Sequence, residues 1–282
     1  MVALTSAPAL LPLYAKAAIT GPMHRGDSLP EDVYELAEQT IDVEHLAAYN
    51  RVCGFRMSDV LPPTYLHILA FPLSVALMTG RAFPFPLVGA VHVANSITVH
   101  RPVHVEETVA LSVRAADLRP HPAGRQFDLV GSATVGDEVV WSSRSTYLRR
   151  GKPSGSKPDR KRESTALRGP ASLVRVPGDI GRRYAAVSGD RNPIHLHPLT
   201  AKAFGFPAAI AHGMWLEART LATLEGRLPS AYTVDVQFKL PVLLPTTVGV
   251  VATPQGPGWA LDVRNPANGK PHLAGTVHSG AP

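Results

Sequence analysis

Apolar and polar residues alternate along several segments of the chain, which is the pattern of strands with one buried face. The alternating segments fall into two groups, one in each half of the sequence. The first group comprises residues 33–41, 96–103, 109–115, 126–135 and 138–147. The second group comprises residues 172–176, 235–242, 248–253, 260–263 and 272–277. Clusters of Gly, Pro and Asn separate many of these segments, so the pattern predicts antiparallel strands joined by turns.

Each group of strands comes with helices of two kinds. Asp42 fits the N-cap of a short helix that ends at Gly54. Asp179 and Gly189 occupy the same places around a short helix in the second half. Longer runs of apolar and small residues predict a second helix in each half, at residues 70–83 and 205–226. A long apolar helix next to antiparallel strands predicts an α+β layer fold with the helix buried against the sheet.

The two halves resemble copies of one unit. The stretch YNRVCGFR at 49–56 aligns with YAAVSGDR at 184–191, an offset of 184 − 49 = 135 residues. Further along, SITVHRPV at 96–103 aligns with DVQFKLPV at 235–242, with both prolines in register. The same order of elements in both halves indicates a duplicated fold.

Composition narrows the class of protein. The chain has 282 residues, a net charge of +6 and only 18% charged residues, which is typical of a globular enzyme and not of a disordered or nucleic-acid-binding tail. A single cysteine, Cys53, excludes an internal disulfide and a four-cysteine zinc site. The apolar run at 68–78 is shorter than the ~20 residues of a membrane helix, and the N-terminal residues make a poor signal peptide. We therefore expect a cytoplasmic protein with no membrane span.

A basic stretch divides the halves. Residues 149–164 carry seven Lys or Arg side chains among Pro, Gly and Ser, and this composition cannot bury apolar area. The expected organisation is an N-terminal domain at 1–148, a linker at 149–168 and a C-terminal domain at 169–282. No aromatic residues are interleaved with these charges, so we expect no nucleic-acid partner.

The densest polar cluster is SGDRNPIHLH, which begins at Ser188. Asp190 and His195 are five residues apart, and Pro193 forces a turn or extended backbone between them. A curled loop can direct both side chains at one point, where a carboxylate acts as a base and an imidazole orients a water molecule. Asn192 can stabilise such a loop by bonding to its backbone.

Downstream, the residues His212 and Gly213 open the long helix of this half. A glycine at that place lets a substrate oxygen approach the backbone N–H groups at the positive end of the helix. The sequence therefore predicts an oxyanion site beside the acid and the imidazole.

The segments YAAVSGDRNPIH and GFPAAIAHGM, between Tyr184 and Met214, resemble the motif of the MaoC-type (R)-specific enoyl-thioester hydratases. The doubled arrangement with a degenerate first copy is similar to the 3-hydroxyacyl-thioester dehydratases of mycobacteria. The resemblance implies a double-hotdog fold, with two long helices each wrapped by an antiparallel sheet and joined as a pseudo-dimer.

The resemblance also implies a reaction, the reversible hydration of a trans-2-enoyl thioester to an (R)-3-hydroxyacyl thioester. The acyl group would be carried by coenzyme A or acyl-carrier protein, no cofactor would be needed, and double-hotdog chains could pair as homodimers. By the same resemblance Asp190 and His195 are the catalytic pair, and the Gly213 N–H binds the thioester oxygen. Asn192, Ser188 and His212 are expected to support the site or contact the substrate.

The first copy lacks the proton carriers. With the offset of 135 residues, Phe55 stands in the place of Asp190 and Val60 in the place of His195. We therefore expect one active site per chain, with residues 26–148 forming an apolar wall for the acyl chain.

A metal site is one alternative for the same cluster, built from His195, His197 and His212. A metal usually needs further ligands with orienting partners, and no clear set presents itself in the sequence. We therefore expect no metal.

Two other functions remain open. An acyl-thioesterase would need a carboxylate on the long helix, where Glu217 is the available acid. A non-catalytic module that binds acyl thioesters would not depend on Asp190 or His195 for its role.

Overall fold

The computed structural model describes residues 1–20, 27–87, 89–151 and 171–280, with only the backbone of residues 16–20. Its helices are α1 (Leu10–Thr20), α2 (Val43–Cys53), α3 (Tyr65–Met78), α4 (Ile180–Ser188), α5 (Pro193–Leu196), α6 (Pro198–Ala203) and α7 (Gly213–Leu221). Its strands are β1 (Val2–Leu4), β2 (Val33–Gln39), β3 (Ala90–Val99), β4 (Val109–His121), β5 (Gly124–Val135), β6 (Glu138–Arg150), β7 (Ser172–Val176), β8 (Tyr232–Phe238), β9 (Thr246–Gln255), β10 (Gly258–Arg264) and β11 (Pro271–Ser279). The expected linker lies for the most part outside the described residues, and Arg149 and Arg150 still belong to β6.

The described strands form one sheet in the order β1-β2-β4-β5-β6-β3-β8-β11-β10-β9-β7. The parallel pair is β1 with β2, and the other neighbours within the described residues pair antiparallel. All strands before residue 151 lie on one side of the β3–β8 pairing, and all strands after residue 170 lie on the other. The sequence halves are therefore also the two halves of the sheet, as a duplicated α+β fold predicts.

The β3–β8 ladder shows how the two copies are related. Ser96 pairs with Asp235, and these are the residues that the sequence offset of 235 − 96 = 139 makes equivalent. Two antiparallel strands in which one residue faces its own counterpart are related by a local twofold axis through that pair. The two copies therefore meet as a symmetric dimer would, within a single chain.

The short helices begin and end largely where the sequence predicts. Asp42 Oδ1 accepts hydrogen bonds from Glu44 N at 2.9 Å and His45 N at 3.1 Å, so it caps α2. Gly54 ends this helix with φ of 84°, a left-handed conformation that glycine adopts without strain.

Asp179 occupies the N-cap position of α4, but its side chain makes no capping hydrogen bond. Its backbone has φ of −98° and ψ of 0°, which differs from the extended geometry that aims a capping oxygen at the first free N–H groups. The position of this cap was predicted correctly and its bonding was not.

The first long helix, α3, begins at Tyr65, five residues before the predicted start, and ends at Met78. Most of its side chains are buried, including Leu73 and Leu77. It packs against β2, β4 and β5. It is the central helix of the first half.

The second long helix is shorter than predicted, because residues 205–212 are not helical. Pro207 lies in this segment, and Ala211 N donates a 2.9 Å hydrogen bond to Val242 O. Residues 209–211 thus lie beside the chain after β8, where Leu244 N donates to Ala209 O, and α7 begins only at Gly213. No helix in the described ranges is long and apolar enough to cross a membrane.

A buried polar cluster connects α7 of the second half with β3 of the first half. Glu217 is fully buried, and both of its carboxyl oxygens lie 3.2 Å from Asn95 Nδ2 on β3. Asn95 Oδ1 accepts a 3.0 Å hydrogen bond from Ser145 Oγ. Burial raises the pKa of Glu217 to about 8, the Asn95 bond opposes this rise, and the Asp235 charge adds to it.

We predict that Glu217→Gln stabilises the protein at neutral pH. The folded-state pKa of Glu217 is above its unfolded value, so the folded chain binds the extra proton and stability falls as pH rises from about 4.5 to 8. The variant escapes this loss and should gain on the order of 3 kcal/mol in free energy of unfolding at pH 7. Urea denaturation at pH 7 and pH 4 measures the difference.

At pH 4 the gain should nearly vanish, because both states of the wild type are then protonated. The same substitution at exposed Glu31 is the control and should change little at either pH. An equal gain at both pH values would contradict the assignment of a raised pKa.

Candidate active site

A cavity of about 290 Å³ lies between the two halves. The first half contributes side chains of α3 and β3, and the second contributes the loop after α4, the start of α7 and the end of β8. The site residues predicted from the sequence all line this cavity: Ser188, Asp190, Asn192, His195, His212 and Gly213. The fold therefore brings the whole predicted set to one place.

The loop after α4 is held by its own polar side chains. Gly189 ends the helix with φ of 72°, and Ser188 Oγ accepts a hydrogen bond from Asp190 N at 3.2 Å. Asn192 N donates to Asp190 Oδ1 at 3.1 Å, and Asn192 Oδ1 caps α5 by accepting from Ile194 N at 3.4 Å. These turns hold the Asp190 carboxylate at the cavity wall, in line with the loop-shaping role expected of Asn192.

His195 lies on α5 and presents one ring nitrogen to the cavity. Its Nδ1 is 2.8 Å from Ile210 O, and a carbonyl can only accept, so Nδ1 carries the proton. Burial lowers the pKa of His195 below 6.5, although Asp190 and the Ile210 bond raise it in part. The imidazole is therefore neutral at pH 7, and its Nε2 is a proton acceptor.

His212 links the loop to the start of α7. Its Nε2 donates a 3.0 Å hydrogen bond to Asp190 O, and its ring stacks on that of His195 with centroids 3.7 Å apart. Burial and the neighbouring His195 lower the pKa of His212 to about 3. His212 is thus a neutral group that positions both the Asp190 backbone and the His195 ring.

The Asp190 carboxyl is ionised in spite of its surroundings. Burial by itself would raise its pKa, but His212, His195, the Asn192 N–H and the Tyr14 hydroxyl together lower it by more. The result is a pKa below the usual 3.8. A charged acceptor therefore lies beside a neutral imidazole acceptor, with their ligand atoms within 4.8 Å of each other.

The same spacing brings together three groups that could bind a metal, namely Asp190, His195 and His212. The two imidazole rings stack 3.7 Å apart with an angle of 26° between their planes, so lone pairs lying in these separate planes are poorly placed to meet at one ion. His197, the third histidine of the alternative metal set, is exposed and caps α6 by accepting from Leu199 N at 3.2 Å. His197 therefore lies apart from His195 and His212. The geometry of Asp190, His195 and His212 suits proton handling better than metal binding.

Gly213 is the first residue of α7, so its N–H has no carbonyl partner one turn earlier in the helix. A Cβ atom at this residue would lie 3.2 Å from the ring of Phe238, so glycine fits the space between the helix start and β8. The N-terminus of α7 thus faces the cavity with a backbone donor and the positive end of the helix dipole.

Sequence reasoning missed several groups that line the same cavity: His67, His92, Tyr147, Tyr184 and His272. Three buried atoms in this set, His92 Nε2, Tyr184 OH and His272 Nε2, have no hydrogen-bond partner in the described protein and are available to a ligand. Tyr184 is the first residue of the motif segment, but no chemical role was predicted for it. His67 and His92 come from the first half, where no motif singled them out.

Comparison with known proteins places the chain in a family. Residues 152–268 match the protein family described as "MaoC like domain". A relative named 3-hydroxyacyl-thioester dehydratase X, from Mycobacterium tuberculosis, is 42% identical over 267 residues, which is 94% of this chain and 95% of that protein. The chain belongs to the family of MaoC-like dehydratases.

A solved member of this family has the same architecture. The crystal structure of HtdX from M. tuberculosis matches with a TM-score of 0.79 at 42% identity, over 87% of this chain and 99% of that chain. The 3-hydroxybutyryl-CoA dehydratase of Methylorubrum extorquens is 36% identical over 66 residues, 23% of this chain and 42% of that protein. The α+β hotdog fold expected from the sequence is confirmed.

The first half of this MaoC-like chain keeps a cavity without the acid and the imidazole. Phe55 and Val60, the counterparts of Asp190 and His195, both line a second cavity of about 290 Å³. Trp141 and Tyr232 also line it. This cavity thus has apolar side chains at the two positions equivalent to Asp190 and His195.

Glu217, the acid required by the thioesterase alternative, does not line the cavity that contains Asp190 and His195. It is fully buried against Asn95, and it is absent from the lining of either cavity. The placement of this carboxylate therefore argues against carbonyl attack assisted by Glu217.

Proposed function

We propose that this MaoC-like chain catalyses the reversible hydration of a trans-2-enoyl thioester to an (R)-3-hydroxyacyl thioester. The observation that carries the proposal is the meeting of the Asp190 carboxylate, the His195 Nε2 lone pair and the N-terminus of α7 on one cavity. The 42% identical relative named as a 3-hydroxyacyl-thioester dehydratase supports it.

In the hydration direction, Asp190 and His195 hold the water molecule. Both are proton acceptors in the free enzyme, so each can accept a hydrogen bond from one O–H group of the water. As the water oxygen bonds to C3 of the enoyl group, the pair takes up one proton and returns a proton to C2 on the same face. The overall result is the addition of H and OH across the double bond, and dehydration is the reverse.

The charge that develops on the thioester oxygen is stabilised by Gly213. As water adds to C3, electron density moves through C2 to the carbonyl oxygen, giving an enolate-like state. The Gly213 N–H and the helix dipole of α7 lie at the cavity wall and can bind that oxygen. This arrangement needs no cofactor, because the thioester carbonyl itself accepts the charge.

The two halves have different roles in this proposal. The C-terminal half, residues 169–282, provides the catalytic groups, and the N-terminal half, residues 1–148, provides an acyl-chain wall. Ile68 and Phe71 on α3 are apolar side chains on that wall.

Lys239, exposed at the rim, is suited to the phosphates of coenzyme A or of an acyl-carrier-protein arm. A cytoplasmic location and a homodimer of chains stay predictions.

We predict that crotonyl-CoA loses its enoyl absorbance on incubation with the protein, with no release of free thiol. Asp190→Asn keeps the shape of the side chain but removes the base, and should lower kcat/KM by about 100- to 10,000-fold. The enoyl absorbance and a thiol reagent measure the two possible reactions in parallel. Release of thiol would favour a thioesterase.

The matched control is Asp179→Asn, the same change at an exposed aspartate without a side-chain hydrogen bond in α4. It should retain wild-type activity. A wild type inactive on enoyl-CoA substrates of every chain length would refute the proposed reaction, and full activity of Asp190→Asn would refute the assignment of the base.

We further predict that kcat/KM for hydration is constant from neutral pH down to a value below 6.5. At still lower pH, kcat/KM should decline. The pKa of His195 lies below 6.5, and protonation removes the Nε2 lone pair that accepts from water. The pKa of Asp190 lies below 3.8, so this carboxylate stays charged throughout that range. A decline that begins above pH 6.5 would show that another group controls the reaction.

A further inference from the structure

The N-terminal segment of the chain reaches across to the candidate active site. β1 pairs with β2 at the outer edge of the first half of the sheet, with Val2 opposite Tyr34. The chain then turns into α1, which contacts α3 of the first half and the loop after α4 of the second. Sequence reasoning assigned no structure to this segment, and its position in the fold is what brings it to Asp190.

The hydroxyl of Tyr14, on α1, is bonded on both sides by this loop. The Arg191 N–H donates to the Tyr14 oxygen at 3.2 Å, and the Tyr14 oxygen lies 3.2 Å from Asp190 Oδ1. Because a carboxylate can only accept and a backbone N–H can only donate, the Tyr14 proton points to Asp190. The hydroxyl therefore has a single orientation, and it bridges the backbone and the side chain of the loop.

Because of this bridge, the two carboxyl oxygens of Asp190 have different contacts. Oδ1 accepts from Tyr14 and from Asn192 N at 3.1 Å, whereas Oδ2 faces the His212 ring, 3.7 Å from its Nε2. Since His195 stacks on His212, Oδ2 is the oxygen on the side of the imidazole pair. The Tyr14 bond thus holds the carboxyl plane so that Oδ2 is left to act on water.

α1 is seated on the loop by shape as well as by hydrogen bonds. A Cβ atom on Gly189 would lie 2.1 Å from Leu10 Cδ1, so the Leu10 side chain of α1 packs directly on the residue that ends α4. Gly189 also has a positive φ of 72°. The same residue therefore ends the helix and makes room for the segment that carries Tyr14.

We propose that Tyr14 is a positioning residue for Asp190, and that the segment containing β1 and α1 completes the active site of the second half from the first half of the chain. This inference rests on the proposed hydratase function. Tyr14 itself contacts no reacting atom, since it is absent from the cavity lining. It acts by holding one carboxyl oxygen and stabilising the charged form of the carboxyl.

Several titratable groups face Asp190 from the elements packed around it, and each affects its charge. His195 and His212 are in direct proximity, and Tyr14 donates to it. Farther groups whose own pKa values respond to the Asp190 charge are His67, His92, Tyr147 and Tyr184. Among these groups Tyr14 offers the simplest test, because replacement by Phe removes one oxygen and keeps the ring.

We predict that Tyr14→Phe lowers kcat for hydration about 10-fold, as expected for the loss of one hydrogen bond to a charged group, and leaves KM within about twofold. Steady-state kinetics on crotonyl-CoA measure this split between kcat and KM. The control is Tyr34→Phe, the same change on β2, which should leave both constants unchanged.

A second measurement does not depend on activity. In protein with 13C-labelled aspartate carboxyls, the Asp190 signal is the one missing from Asp190→Asn, and its titration reports the pKa directly. Tyr14→Phe should raise that pKa by about one pH unit, because the charged form loses a donor. A merely structural role for Tyr14 would leave the titration unchanged.

The two experiments separate failure of this inference from failure of the proposed function. An unchanged Asp190 titration, or an unchanged kcat in Tyr14→Phe beside an inactive Asp190→Asn, would overturn the positioning role alone. A wild type without hydratase activity would refute the proposed function, and the carboxyl titration would still decide whether Tyr14 stabilises the charge of Asp190.

Discussion

A charged carboxylate that is only partly exposed, at the meeting of two sheet halves, is the constraint on which the site depends. Such a charge is costly to remove from water unless donors surround it. Asp190 receives these donors from its own loop through Asn192 N and from α1 through Tyr14, while His212 and His195 lie on its other side. The groups that stabilise the charged form of Asp190 also orient its carboxyl group. The same contacts therefore keep the carboxylate charged and place it for its proposed reaction.

The pseudo-twofold arrangement explains why one chain can hold one such site. Ser96 faces its counterpart Asp235 across the central ladder, so the halves keep the packing of a symmetric dimer. Once both copies lie in one chain, each can change separately. Phe55 and Val60 stand at the equivalent positions in the cavity of the first copy, and α3 and β3 contribute to the wall of the cavity that contains Asp190 and His195.

Much of the fold followed from local rules. The caps at Asp42 and Gly54 and the stop at Gly189 were predicted, because these residues act through their own backbone and its nearest neighbours. The segment at 205–212 was predicted as helix and is not helical, because residues 209–211 bond to Ile194 and to the distant chain after β8. Helical composition does not reveal that competition.

The sequence by itself determined the loop from Ser188 to His195 and the glycine at the start of α7, since these lie within one short stretch and fold against each other. Only the tertiary structure decided what surrounds them. Tyr14 comes to Asp190 from 176 residues away, and His92 comes from the opposite half. Contacts of that kind arise from the pairing of whole strands and the docking of helices. The spacing of residues along the sequence therefore does not predict them.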